Sequence, residues 1–340
     1  FELRQKTYSF FSSIFYHIGN NITLVFDVFL NFQGDLSQQD KRCVFLTVHD
    51  LGTNHTTMVD FVNSPAMSEI KERSCFIHVD VPGHEEGSPD LPDSYQFPSL
   101  QSLGEDLITV LDFLHVRYAV GLGEGAGANV LARCGLAHPR RLLGLILVNC
   151  TASTSSVADA FRSRFSRWRG ADISQSEEDF LIYHKFGHVS FEQEQLDYNR
   201  TLTEYRSRLR GNLNTHNIKL YVRAFINRKD LILRGCQPDI LLITGMLSPY
   251  STVIEKMYKE LDKERVTILK VDRAGDVLAE TPAKIAQSLL LFCQGQGLLT
   301  SLPPPGVERR MSRAMSMEEY DKPNIRRLSI YDSRPLLKKE

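Results

Sequence analysis

Short, continuous apolar runs alternate with amphipathic stretches along most of the chain, and this alternation limits the fold more than any other feature. The runs that predict strands cover residues 22–28, 43–48, 75–80, 118–122, 145–148, 240–244 and 266–271. Apolar residues at helical spacing lie in the stretches 103–114, 128–137, 253–261 and 282–293. Such short apolar runs are typical of strands that are covered on both faces, which indicates a mostly parallel sheet flanked by helices.

Changes in composition along the chain predict one large domain with an N-terminal extension, a helical insertion and a C-terminal tail. With 340 residues, the chain is long enough for a domain at 22–300, and we expect a helical cap inserted at about 155–235. In this insertion, charged and aromatic residues mix at helical spacing without a strand-like run. Residues 1–21 are predicted to form an N-terminal extension. Residues 301–340 are predicted to be a disordered basic tail rich in Ser and Arg, because they cannot bury enough apolar surface to offset the entropy lost on ordering.

Charge and cysteine usage argue against several functional classes. The net charge of −1 gives no electrostatic reason to expect a nucleic-acid partner. The six cysteines are scattered without metal-ligand spacing, which favours the reducing cytoplasm, and we expect no metal and no cofactor. No run of 18 apolar residues could span a bilayer. The aromatic segment at residues 10–16 either contacts a membrane surface or packs against the protein.

A glycine-rich turn follows the predicted strand at 118–122. The sequence Gly123-Glu124-Gly125-Ala126-Gly127 has the flanking glycines of the G-x-S-x-G nucleophile elbow of α/β-hydrolases. Its centre is Gly125, which offers neither an oxygen nor a sulfur to attack a carbonyl group. The turn therefore predicts the hydrolase architecture without its nucleophile.

The other two triad positions also have unsuitable residues. After the run 240–244, where the fold carries its acid, Met246 stands and no carboxylate occurs before Glu255. After the run 266–271, where the histidine is expected, there is none, since all ten histidines lie at or before residue 216. We therefore predict that the protein is not an enzyme.

The loop His49-Asp50-Leu51-Gly52 resembles the oxyanion loop that follows an early strand in hydrolases. A pocket lined by His49, Asp50, Gly125 and Ala126 is therefore predicted to persist without the chemistry. For His49 two interpretations remain open: contact with a ligand, or bonding to backbone groups of its own loop.

Two other motifs give weaker predictions. Gly121-x-Gly123-x-x-Ala126 satisfies the loose dinucleotide-binding pattern, but the next strand ends in Asn149 instead of an acid for the ribose, so a tight structural turn is favoured. His184 and His188 could share a helix face, yet no third metal ligand is adjacent.

Arginine precedes several serines in the tail at the spacing that basophilic kinases select. Ser312, Ser316 and Ser329 each have Arg three residues before them, and Ser312 and Ser329 have a second Arg two residues before them. We predict that kinases of this class phosphorylate the tail and so reverse its local charge. The alternative is an unmodified, solubilising tail.

Four segments, in the same order along the chain, resemble the N-myc downstream-regulated (NDRG) family. They are residues 44–55, 78–87, the turn 123–127 and 221–230, and the resemblance covers about residues 40–300. It implies a catalytically inactive α/β-hydrolase fold and a scaffold or adaptor role in signalling, differentiation, stress response and vesicle trafficking. It also implies protein partners, a mostly cytoplasmic location and a phosphorylated tail, while contact with membranes or phospholipids is a further expectation. The family typically has an acid where Met246 stands, and this tail has no clear tandem repeats.

Two alternatives to the adaptor remain open at the level of sequence. One is an active hydrolase with a displaced nucleophile, Ser153 or Ser248, and a relocated histidine such as His49. The other is a lipid-binding or carrier module that uses the space beneath the cap.

Overall fold

An eight-stranded sheet forms the centre of the computed structural model, which describes residues 7–18, 21–153, 173–187 and 196–303. The strand order is β1-β2-β4-β3-β5-β6-β7-β8. The strands are β1 (Thr7–Ile18), β2 (Asn21–Gln33), β3 (Cys43–Val48), β4 (Ser74–Asp80), β5 (Ala119–Glu124), β6 (Leu142–Val148), β7 (Asp239–Gly245) and β8 (Val266–Val271). Neighbouring strands from β4 to β8 are parallel. The predicted α/β class with a mostly parallel sheet is thus confirmed.

Helices cover both faces of the sheet. They are α1 (His55–Asn63), α2 (Ser68–Glu72), α3 (Leu100–Phe113), α4 (Gly125–Ala137), α5 (Gln175–Phe186), α6 (Leu196–Gly211), α7 (Thr215–Ile226), α8 (Ser251–Lys259), α9 (Val277–Glu280) and α10 (Pro282–Gly295). All residues of β3, β4 and β5 are buried, as expected for strands covered on both sides.

The two faces of the sheet belong to two hydrophobic clusters. In β3, Val44 and Leu46 pack into one cluster with residues of α3, α4 and the helices between β6 and β7. Phe45 packs into the other cluster with residues of α1 and α10. This alternation follows from the period of two along a strand, and it separates a cap-side core from a core on the opposite face.

The N-terminal segment belongs to the sheet, which differs from the expected extension at 1–21. β1 pairs antiparallel with β2 from Thr7 opposite Gln33 to Ile18 opposite Asn21, and β2 in turn pairs antiparallel with β4. The long hairpin therefore adds two antiparallel strands to the edge of the parallel sheet. The physical reason is that backbone pairing with β2 satisfies the hydrogen-bonding groups of this segment.

The described residues between β6 and β7 include the helices α5, α6 and α7, and parts of the cap predicted at about 155–235 lie outside the described residues. α5 begins with a capping box, in which the backbone N–H of Ser174 donates to Glu177. Its C-cap residue is Gly187, whose φ is +78°. The predicted phosphorylation sites Ser312, Ser316 and Ser329 also lie outside the described residues. None of the helices in the described ranges is both long and apolar enough to cross a membrane.

Candidate functional site

The strand β5 passes into α4 through a tight turn at the end of the sheet. Gly125, the first residue of α4, has a φ of +51°, a backbone conformation that L-residues rarely adopt. A Cβ atom there would overlap with the carboxylate of Asp50, and a Cβ at Gly123 would lie 2.8 Å from the backbone nitrogen of Ala128. The elbow geometry is therefore present, with Gly125 at its centre and no room for a larger residue.

The carboxylate of Asp50 occupies the place above the elbow. Asp50 is 2% exposed, follows β3, and its Oδ1 accepts a hydrogen bond of 2.8 Å from the backbone N–H of Ala126. In active members of this fold, the N–H of the residue after the nucleophile stabilises the oxyanion of the reaction intermediate. Here the same donor binds a side-chain carboxylate of the protein itself.

His184 of the cap helix α5 holds Asp50 from the other side. Its Nε2 lies 3.0 and 2.9 Å from the two carboxylate oxygens of Asp50, and its Nδ1 contacts the hydroxyl of the buried Tyr250. Because an ionised carboxylate only accepts hydrogen bonds, Nε2 carries the hydrogen and donates. Burial alone would raise the pKa of Asp50, but His184, with a smaller effect of Lys185, lowers the pKa below its usual value.

Lys185, the next residue of α5, enters a second group of carboxylates. Its Nζ lies 2.6 Å from both oxygens of Glu124 and 3.1 Å from Oδ2 of Asp276. The three side chains are at most 3% exposed. Burial alone would lower the pKa of Lys185, but Asp276 and Glu124 raise it. One buried ammonium group is therefore shared by two carboxylates.

Glu124 is a carboxyl group of this cluster whose charged form is disfavoured by burial. Burial raises the pKa of Glu124 to about 8, with help from the carboxylates of Asp276 and Asp50 and against the effect of Lys185. A carboxyl group with such a pKa exchanges its proton near neutral pH. Its position at the end of β5 brings this titration next to the elbow.

The loops after β7 and β8 carry Met246 and Asp276. Met246 follows β7 and is 43% exposed. In the loop between β8 and α9, where the fold carries its histidine, Asp276 is buried against Lys185. The charged side chains in the centre are thus ion-paired with one another.

His49, predicted to line the pocket, bonds to the backbone at both ring nitrogens. Nδ1 lies 2.8 Å from the carbonyl oxygen of Asp50, and Nε2 accepts from the N–H of Val81 at 3.1 Å. Burial lowers the pKa of His49 to about 3, so the ring is neutral at physiological pH. Of the four predicted pocket residues, the structure brings Asp50, Gly125 and Ala126 into contact, while His49 supports the loop.

The proposed substitute nucleophiles are placed as follows. Ser248 is buried, and its Oγ accepts a hydrogen bond of 3.3 Å from the N–H of Tyr250. Ser153 lies after β6, where its carbonyl oxygen accepts from Arg228 at 3.4 Å. His188, considered above with His184 as a metal pair, lies outside the described residues.

The sequence reasoning missed four residues of the centre: His184 in its actual role, Lys185, Tyr250 and Asp276. One signal could have indicated a residue such as Lys185. Glu124 stands in an apolar turn, and a buried carboxylate normally has a cation as its partner. No spacing in the sequence indicates which lysine supplies it.

A cavity of about 380 Å³ lies beside the charged cluster. It is bounded by the loop after β3, by α1 and by the cap helices α5 and α6, with residues at the start of α9 and α10 closing it. Lys185 and Asp276 form part of its wall. The cavity thus adjoins the charged cluster, with walls from both the cap and the sheet domain.

The architecture defines the class of the protein, the α/β-hydrolase fold. A thermophilic esterase from Thermogutta terrifontis superposes with a TM-score of 0.62 at 18% identity, covering 79% of this chain and 94% of the esterase. A hydrolase from Pseudomonas aeruginosa superposes with a TM-score of 0.60 at 20% identity, covering 78% of this chain and 94% of the hydrolase. At such identities the likeness shows the fold alone.

The family follows from the sequence comparisons. Residues 22–300 match the model of the Ndr family, and the chain belongs to this family. An uncharacterised protein of Caenorhabditis elegans is 38% identical over 304 residues, which cover 88% of this chain and 90% of the relative. Protein NDRG3 of Xenopus tropicalis is 33% identical over 273 residues, which cover 76% of this chain and 68% of the relative. The resemblance found in the sequence motifs is confirmed.

Proposed function

We propose that this protein is a non-catalytic α/β-hydrolase-fold scaffold or adaptor. The observation that carries the proposal is the carboxylate of Asp50, which accepts the Ala126 N–H beside Gly125. A substrate carbonyl that developed negative charge there would meet a carboxylate instead of a free donor. Together with the absence of an oxygen or sulfur on Gly125, this opposes the covalent route of a hydrolase.

Family membership supports the adaptor role. Proteins of this kind act through their outer surface, and we propose that this one binds protein partners in signalling, differentiation, stress response or vesicle trafficking. The proposed location is the cytoplasm, with peripheral contact to phospholipid membranes. Phosphorylation at Ser312, Ser316 and Ser329 regulates these contacts, because each phosphate adds about −1.5 to −2 charges to a basic tail.

The first test is labelling of the folded protein with a fluorophosphonate probe, read by intact mass, together with ester turnover. We expect neither label nor turnover above the heat-denatured sample. The variants Ser248→Ala and Ser153→Ala serve as matched controls for a displaced nucleophile. Stoichiometric labelling of the folded protein that disappears in either variant would establish an active hydrolase and overturn the proposal.

The adaptor role is tested by capture of partners from cell extract with the full chain. Two versions are compared, one with Ser312, Ser316 and Ser329 changed to Ala and one phosphorylated at these positions by a basophilic kinase. We expect the two versions to retain different sets of proteins. Identical sets would contradict regulation by the tail.

A further inference from the structure

The strand β8 lies at one end of the sheet, where its only neighbour among the described strands is β7. The carbonyl oxygen of Arg265, at the start of β8, accepts a hydrogen bond from the N–H of Ile240 in β7. Along a parallel strand, the backbone groups of alternate residues point to the same neighbour, so the odd-numbered residues of β8 bond to β7. The N–H and C=O groups of Ile268 and Lys270 therefore point away from β7, to the open edge.

This open edge has few of the features that protect edge strands. An unpaired row of backbone groups is a template for another strand, and native proteins block it with charges, proline, bulges or covering segments. β8 contains no proline and pairs with β7 in an unbroken register, and its middle residues, Ile268 and Leu269, are only half-buried. The one charged residue of β8, Lys270, is already paired with Glu255 of α8 at 3.6 Å. Within the described part of the chain, β8 thus remains available to a further strand.

The residues of β8 suit an antiparallel copy of the same strand. A two-fold axis at Ile268 pairs this residue with its own copy and pairs Val266 with Lys270 of the second copy. An axis at Lys270 would place two lysines opposite each other, which is destabilising. An axis at Val266 would need an N–H that already donates to Asp262 at 2.9 Å. Among the residues whose backbone groups point outward, Ile268 is therefore the best centre for a symmetric pair.

The helix α8 is placed so that it would pack against its own copy across this axis. It covers both β7 and β8, on the face of the sheet to which Ile268 contributes its side chain. Neighbouring strands are about 4.8 Å apart, so two helices that each lie over β7 and β8 of their own copy would be about 10 Å apart. This is a normal distance between packed helices.

The charges of α8 complement those of an antiparallel copy. Glu255 lies 3.6 Å from Lys259 of the same helix and 3.6 Å from Lys270 of β8, so this side of α8 faces the edge of the sheet. A two-fold axis reverses the direction of α8 in the second copy. Glu255 of each copy then lies opposite Lys259 of the other copy. Such complementary charges fix the register of an interface and disfavour other partners.

We propose that the protein forms a two-fold symmetric dimer in which the β8 strands of two copies pair antiparallel and their α8 helices pack side by side. The sheet then continues from one copy into the other. A second copy is the partner that fits, because the open strand and the pair Glu255 and Lys259 each find their complement in the same surface. The dimer goes beyond the adaptor role, since it requires neither the tail nor another protein, and it would present every binding surface twice.

The test is sedimentation velocity of the purified full chain over a series of concentrations. The chain has a mass of 38.7 kDa, and we expect a particle of twice this mass that dissociates on dilution. Ile268→Lys places like charges at the centre of the pairing and should weaken the dimer at least about tenfold. Its melting temperature, measured where the natural protein is monomeric, verifies that the variant is folded.

A charge exchange on α8 tests the contact between the helices. Glu255→Lys and Lys259→Glu should each weaken the dimer, because each places like charges opposite each other, and the two changes combined should restore it. Glu69→Lys is the control, since it reverses an exposed charge on α2, next to β4 and four strands away from β7 and β8 in chain order or sheet order. It should leave the dimer unchanged.

Three results would overturn the proposal: a monomer at every concentration, a dimer that Ile268→Lys leaves intact, or a dimer whose strength does not respond to either charge reversal on α8.

Discussion

Gly125 and Asp50 depend on each other, because the missing side chain of Gly125 leaves the space that the carboxylate of Asp50 fills. Asp50 in turn satisfies the Ala126 N–H, which would otherwise be a buried donor at a tight turn. His184 completes the arrangement by donating to the same carboxylate. Replacement of any one of these residues therefore affects the other two.

Gly125→Ala should destabilise the fold by about 2–4 kcal/mol, because a Cβ adds overlap with Asp50 to the strain of a positive φ. In the background of Asp50→Gly, the same substitution should cost only the strain, about 1–2 kcal/mol. Urea unfolding of the four proteins measures this coupling as a double-mutant cycle. An equal cost in both backgrounds would contradict the contact between the two positions.

Glu124 is expected to make stability depend on pH. Its pKa in the folded protein is raised to about 8, so its contribution to stability is complete below the usual value of 4.5 and is lost as the pH rises towards 8. Gln at this position stays neutral. The free energy of unfolding of Glu124→Gln, relative to that of the natural protein, should therefore increase between pH 5 and pH 8.

Urea unfolding at several pH values tests this dependence on Glu124. Glu264→Gln, at an exposed position, is the control and should show no such trend. A difference between Glu124→Gln and the natural protein that stayed constant with pH would mean that Glu124 is ionised throughout this range.

At the level of elements, α5 joins the cap to the sheet through two adjacent side chains. His184 contacts Asp50 in the loop after β3, while Lys185 reaches Glu124 at the end of β5 and Asp276 before α9. One turn of helix therefore connects three separate parts of the sheet domain. These contacts are buried, so solvent and salt screen them less than surface ion pairs.

Lys185→Met should destabilise the fold by about 3–5 kcal/mol, because it leaves Glu124 and Asp276 buried without their cation. Combining it with Glu124→Gln and Asp276→Asn should recover a large part of this loss, since no uncompensated charge then remains. Lys259→Met, which removes an exposed pair with Glu255, is the control and should change stability by less than about 1 kcal/mol. Thermal or urea unfolding measures all three.

A loss for Lys185→Met no larger than that for Lys259→Met would show that the buried lysine is not paired as described.

At the level of the whole molecule, the sequence predicted the sheet core well and its N-terminal edge poorly. The runs in β3 to β8 are continuous and apolar, so their strand character does not depend on partners. β1 instead mixes Ser with aromatic residues, and its strand character follows from its pairing with β2. The two residues between these strands, Gly19 and Asn20, are a hairpin signal that reveals β1 only when both flanking segments are considered together.

The site was predictable where it follows a local motif and unpredictable where it depends on tertiary packing. The elbow and the oxyanion loop led to Gly125, Ala126 and Asp50. His184 lies 134 residues from Asp50 and reaches it only because the cap folds back over the sheet. No periodicity or spacing in the sequence indicates that contact, so the buried ion pairs could not be predicted from the sequence.

The buried pairs of His184 and Lys185 have a consequence for motion. In proteins whose cap opens to admit a ligand, the hydrogen-bonded amides of the cap exchange with solvent faster than those of the sheet. Here, lifting α5 would separate ionic groups in a low-dielectric interior, so the cap and the sheet should unfold as one cooperative unit. We therefore expect a binding partner to contact a rigid surface and to recognise the protein by the shape of that surface.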